Sequence, residues 1–146
     1  MVLLLIATAA TGLFAGAAIY VSAVEHPARV SCGIEAAIRE FGPSYHRGAI
    51  MQASLAVLGA AAGLAAGWQQ HDWTTASAAL LLGSLVPFTL IVILPTNKRL
   101  LDPALKGHDI EGGRLLARWG RLHAVRTLVS TVAFVMFLTQ LATAAG

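Results

Sequence analysis

In the stretch RLLARWGRLHAVRTLVSTV, residues 114 to 132, four arginines, a tryptophan and a histidine run without a break into apolar residues and hydroxyls. On a helix, Trp119, His123 and Arg126 stand at i, i+4 and i+7 and share one stripe, while Arg114, Arg118 and Arg121 point in other directions. The stripe sets an imidazole and a guanidinium one turn apart at the level where the last apolar run begins. The indole of Trp119 offers a flat face for stacking. The three outer arginines suit lipid phosphates.

Other ionisable and polar groups gather at the same level of the chain's hydropathy pattern. Glu25 and His26 follow the first apolar run, Tyr45, His46 and Arg47 precede the second, and Asn97 closes the third. Taken singly, Arg47 and Arg126 could snorkel to headgroups, and Glu25 could pair with either of them. Taken together they converge from four segment ends on one membrane face, where ionisable groups are costly enough to be functional candidates. His71, in an outer turn, and His108, in a loop, fall outside this set. A second chemistry is open to the same residues: His26, His46 and His123 with Glu25 supply three imidazoles and a carboxylate, a donor set for zinc, copper or iron with one open position. No two of those histidines have the HxxxH or HxxH spacing of a helical ligand pair, so that site would depend wholly on tertiary packing.

The elements that must position these groups are membrane spans. The chain of 146 residues is 57% hydrophobic and 12% charged, which is far from a soluble domain. Residues 1–24, 48–71, 73–97 and 127–146 carry no Asp, Glu, Lys or Arg. Each of these runs is long enough to cross, since about 20 apolar residues at 1.5 Å rise match a bilayer core of roughly 30 Å. The expectation is an all-α, integral membrane four-helix bundle in a single domain over 1–146, with spans near 2–24, 48–70, 74–95 and 124–145. Val21-Ser22-Ala23 resembles a signal-peptidase site, but the first run has no basic n-region and is too long for an h-region, so it reads as the first span.

All ten Lys and Arg lie in the connections 25–47 and 98–126, and none in the turn 68–75 or at either terminus. The positive-inside bias therefore predicts a cell-membrane, multi-pass protein with both long connections cytoplasmic and both termini outside. Trp68 and Trp73 bracket the outer turn as interfacial anchors. Gly12 and Gly16, and Gly59, Gly63 and Gly67, form small-residue steps that favour close helix packing within the bundle, with a homo-oligomer seam as the alternative. Ile34, Ile38 and Phe41 define a short interfacial helix that Gly42-Pro43 is expected to end. Asp109 is placed to cap a helix that continues through Arg126 into the last span. Pro87 is expected to kink the third span. The lone Cys32 leaves no intramolecular disulfide and no CxxC redox pair, and no phosphate-cradling or nucleic-acid motif is present.

Four segments together, VEHPAR (24–29), YHR (45–47), LPTNKRL (94–100) and RWGRLHAVRT (118–127), resemble the anthrone-oxygenase-like family of small four-span membrane proteins, long catalogued as a domain of unknown function. The resemblance implies a monooxygenase that oxidises a lipophilic, anthrone-type aromatic to a quinone with O2 as co-substrate and without metal or flavin, as relatives in polyketide pathways do. On that chemistry His123 is the base and Arg126 the enolate partner. Glu25 or His26 orients the base or holds a second proton. Trp119, Tyr45, His46 and Asn97 then contact the rings and their hydroxyls. Against it stand the metal-dependent membrane oxidoreductase on His26, His46, His123 and Glu25, and a non-enzymatic membrane protein that binds a small molecule or serves as an accessory subunit.

Overall fold

A computed structural model describes residues 1–105 and 107–145. Four helices are long and apolar enough to cross a membrane: α1 (Val2–Ser31), α2 (Ile34–Gln70), α3 (Trp73–Leu100) and α4 (Asp109–Ala144). No strand occurs among the described residues. The protein is an integral-membrane four-helix bundle. Each helix packs mainly on two neighbours, in the order α1, α2, α3, α4 around the bundle.

One end of the bundle is tight because its contacts are between small residues. Ala7, Ala62, Ala66, Ala78 and Ala79 are buried around Leu4 and Phe137. Gly63 is part of this closeness, since a Cβ there would stand 2.5 Å from the Phe137 ring and 2.9 Å from the Ala79 methyl. Gly59 and Gly67 are likewise filled by α1 and α3, and Gly12 by Phe134, so these steps serve packing within one chain, whereas Gly16 meets nothing within 4 Å. The tight end closes with a turn in which His71 adopts a left-handed φ of 52°. Asp72 caps α3 there by accepting from the Thr74 and Thr75 amides at 2.9 and 3.2 Å. Trp68 and Trp73, on either side, are exposed.

The other end is looser. α2 packs along Trp73–Gly83 of α3 and barely touches its second half. Pro87 has no N–H to give the ladder, and over Thr89–Ile93 the helix widens into a π-turn, so the hydrogen-bond ladder of α3 changes step in its second half. α1 carries a π-turn at Val21–Glu25, at the same end. Large side chains fill what the backbones leave: Phe41, Ile93, Leu100, Leu105, Leu116 and Trp119 form one buried cluster.

The helix expected to stop at Gly42-Pro43 does not stop. α2 runs unbroken from Ile34 to Gln70 with Pro43 inside it. Pro43 is exposed and forgoes a single ladder bond, while Ala37 and Phe41 before it and Tyr45 after it are held in the core cluster. The stripe Ile34, Ile38, Phe41 continues in register through Tyr45, Gly48 and Gln52, so packing on both sides of the proline outweighs the lost bond. Asp109, expected as the cap, is itself the first residue of α4, and the first turns of that helix lie against the start of α2. Gly112 permits this approach, because a Cβ there would meet the Ile38 side chain at 2.5 Å.

Candidate active site

A cavity of about 530 Å³ occupies the loose end. Its walls come from all four helices: Phe14, Val21 and Glu25 of α1, Tyr45 and Gln52 of α2, Leu85 and Asn97 of α3, and Trp119, His123 and Arg126 of α4. Tyr20, Met51 and Leu90 both line it and are exposed, so it opens sideways between apolar helices. That volume lies inside the range of roughly 300–1,000 Å³ usual for small-molecule sites.

Helix spacing delivers the α4 side chains. Trp119 and His123, one turn apart, are buried and stack with ring centroids 4.8 Å apart and planes inclined at 27°. The edge of Phe41 meets Trp119 at 5.4 Å, and Tyr45 stacks on Phe41 at 5.6 Å, so the aromatic wall passes from α4 to α2. His123 Nδ1 lies 3.0 Å from Ser22 Oγ of α1. Arg126, a further turn along, donates to Gln52 Oε1 at 2.5 Å and lies over the Phe14 ring at 5.3 Å. Its Nε is buried without a hydrogen-bond partner, and no ion pair with a carboxylate reaches it among the described residues. Asn97 is buried with Oδ1 likewise unpartnered.

A second guanidinium on the cavity wall is differently placed. Arg29, buried, pairs with both Glu25 and Glu40, and its Nη2 donates to Ser44 at 3.0 Å. Ser44 in turn donates to Glu25 Oε1 at 2.7 Å. Its charge is matched within the protein, and its plane packs near Phe41 and Trp119, 5.7 and 5.8 Å from their centroids.

Seven of the residues singled out from sequence thus share one cavity: Glu25, Tyr45, Arg47, Asn97, Trp119, His123 and Arg126. His26 and His46 do not line it. His26 packs against Trp119 at 5.2 Å, seated over Gly120, where a Cβ would come within 2.6 Å of its Nε2. His46 is exposed, its ring 5.4 Å from that of Tyr45. No group of three or more His, Cys, Asp or Glu side chains with metal-holding geometry occurs among the described residues.

The sequence reading missed Arg29, Gln52, Ser22 and Thr127. Arg29 stands four residues after Glu25, a spacing that could have marked it. Gln52 is seven residues after Tyr45 in a run without charges, which was also a usable sign. Ser22 and Thr127 gave none, because a hydroxyl in a membrane helix ordinarily bonds its own backbone.

The chain matches the profile of a family described as Anthrone oxygenase over residues 41–136, more than half of its length. It is 44% identical over 62 residues to the anthrone oxygenase tpcL of Aspergillus fumigatus, a match that covers 40% of this chain and 38% of that protein's length. No solved structure matches the chain. The profile spans Tyr45, Gln52, Asn97, Trp119, His123 and Arg126, whereas Ser22, Glu25 and Arg29 precede it.

Proposed function

The chain belongs to the anthrone oxygenase family, and on that premise we propose that it is a membrane-embedded monooxygenase that deprotonates a lipophilic, anthrone-type substrate and lets the resulting anion react with O2. The observation that carries this reading is the pairing on one cavity wall of a buried imidazole, His123, with a guanidinium, Arg126, that has no carboxylate partner. One can accept a proton, and the other awaits an anion.

An anthrone is a planar tricyclic ketone whose central CH2 is acidic because its carbanion delocalises into an aromatic enolate. His123 takes that proton while Arg126 meets the enolate oxygen, in a site walled by apolar and aromatic groups where such a charge pair is strong. Trp119 stacks on the rings, and Asn97 and Tyr45 bond ring hydroxyls. Glu25, held by Arg29 and Ser44, and His26, behind Trp119, orient the wall or hold the second proton. The carbanion carbon then bonds O2. After protonation of the outer oxygen, loss of the second C–H proton with O–O cleavage leaves a ketone and releases water. One oxygen atom stays in the product, and the CH2 carbon supplies all the reducing electrons. No metal or flavin enters this scheme. The substrate arrives through the side opening from the bilayer.

The whole chain acts as one domain, with the cavity end and its cationic connections in the cytoplasm and both termini outside. The test is O2 uptake and quinone appearance in membranes supplied with an anthrone, corrected for spontaneous oxidation and repeated after chelation. Wild-type protein is expected to turn over with or without chelator, and His123→Ala to lose roughly 10²–10⁴ in rate at equal expression. Equal rates in both would remove His123 from the chemistry. Stoichiometric iron, copper or zinc whose removal abolishes turnover would replace this reading with a metal site on His26, His46, His123 and Glu25.

A further inference from the structure

The hydroxyl chain behind His123 decides which of its nitrogens carries the proton. His123 Nδ1 is 3.0 Å from Ser22 Oγ, and Ser22 Oγ is 2.8 Å from Thr127 Oγ1. Thr127 Oγ1 also lies 3.1 Å from the Ala18 carbonyl and 3.2 Å from the His123 carbonyl. A hydroxyl has one proton to give and lone pairs to receive, whereas a carbonyl oxygen only receives. Thr127 has one proton and three acceptors in reach; given to either carbonyl, that proton leaves the oxygen only to accept towards Ser22.

The rest follows along the chain. If Thr127 accepts, Ser22 donates to it, and the remaining contact of Ser22, with His123, must be one in which Ser22 accepts. The imidazole then donates from Nδ1, and its lone pair is at Nε2. The reverse orientation would turn Thr127 away from both carbonyls. Ala18 stands just before the π-turn at Val21–Glu25, and its oxygen, which also receives the Val21 N–H, has a second lone pair open to the Thr127 hydroxyl.

We propose that Ser22 and Thr127 are positioning residues that hold His123 as the Nδ1–H tautomer, with the Nε2 lone pair left to act on a ligand in the cavity. The use of that lone pair rests on the reading of His123 as the base; the tautomer itself does not. No hydrogen bond among the described residues engages Nε2, and His123 lines the cavity. A base locked in the wrong tautomer cannot take a proton, however well placed.

The experiment is nitrogen NMR of protein labelled with nitrogen-15 histidine and reconstituted in lipid bilayers, the His123 signals being those missing from a His123→Asn sample. The expected wild-type spectrum shows a protonated Nδ1 and an unprotonated Nε2. In Thr127→Val, which keeps the shape but frees the Ser22 proton to turn towards Nδ1, the balance should move to the Nε2–H form, and Thr127→Ser should restore it. In the same samples, anthrone turnover should fall roughly 10–100-fold in kcat with KM little changed in Thr127→Val, the usual scale for loss of an orienting partner of a histidine. An Nε2–H tautomer in the wild type would overturn the proposal, as would an unchanged tautomer in Thr127→Val. If the tautomer behaves as expected and no sample oxidises anthrone, the hydroxyl chain stands and the enzyme reading falls.

Discussion

Three arginines line the cavity; Arg47 is exposed, and the surroundings of Arg29 and Arg126 assign these two different work. Arg29 has Glu25 and Glu40 as counter-ions and Ser44 as a further acceptor, so it is spent on structure: it ties the end of α1 to the start of α2 beneath Phe41 and Trp119. Arg126 has one amide oxygen, from Gln52, and an aromatic face, from Phe14. A cation so placed at membrane depth is costly unless an anion completes it. If that anion is an enolate oxygen, the planar fork matters as well as the charge, and an ammonium does not reproduce it. Arg126→Lys is therefore expected to lower turnover by roughly tenfold or more, up to the 10²–10³ typical for full removal of one preorganised donor. Arg114→Lys, on an exposed position of α4, should leave turnover unchanged. Rates of quinone formation for the two variants at equal expression decide the matter, and equal loss in both would make Arg126 no more than another headgroup contact.

At the scale of the element, helix ends follow local chemistry and helix interiors follow packing. Asp72 is a helix cap of the ordinary kind, legible from its place before Trp73-Thr74-Thr75. The Thr75 hydroxyl first, and the Thr74 and Thr75 amides with it, hold its carboxyl below the usual carboxylate range. A carboxyl depressed in the fold contributes stability above its unfolded pKa of about 4 and loses that contribution as pH falls below it. Asp72→Ala should cost about 1 kcal/mol at neutral pH. The gap between variant and wild type should narrow on acidification, as measured by thermal unfolding in detergent; a gap independent of pH would mean the carboxylate is not the cap. Pro43 shows the opposite case. Its local preference is to end a helix, yet α2 passes through it because Phe41 and Tyr45 are anchored on either side.

For the whole molecule, the division between a tight end and a loose end follows from residue size. Alanines and glycines draw the helices together at the end that holds the α2–α3 turn, and aromatic and charged residues keep them apart at the other. The same division places the cavity's Glu25, Arg29, Asn97, Trp119 and His123 at the end with the cationic connections. If that end is cytoplasmic, a tag on the C-terminus should report from outside the cell in an accessibility assay. A cytoplasmic report would invert the topology and put the cavity on the opposite side of the membrane.

The sequence alone determined the four helices, their membrane class and the level at which their polar residues collect, because each depends on runs of apolar residues, on charge placement and on spacing along one helix. It also placed Trp119, His123 and Arg126 on one stripe, since three positions on a single helix need no partner to be related. Tertiary structure alone decided which polar groups from other helices reach that stripe. Glu25, Tyr45 and Asn97 arrive at the cavity; His26 is held behind Trp119, and His46 is left outside. It alone brought Ser22 within hydrogen-bonding distance of a histidine 101 residues away. The rotation of one helix against another is set by which small residues let the backbones close, and a helix carries no record of that rotation in its own periodicity.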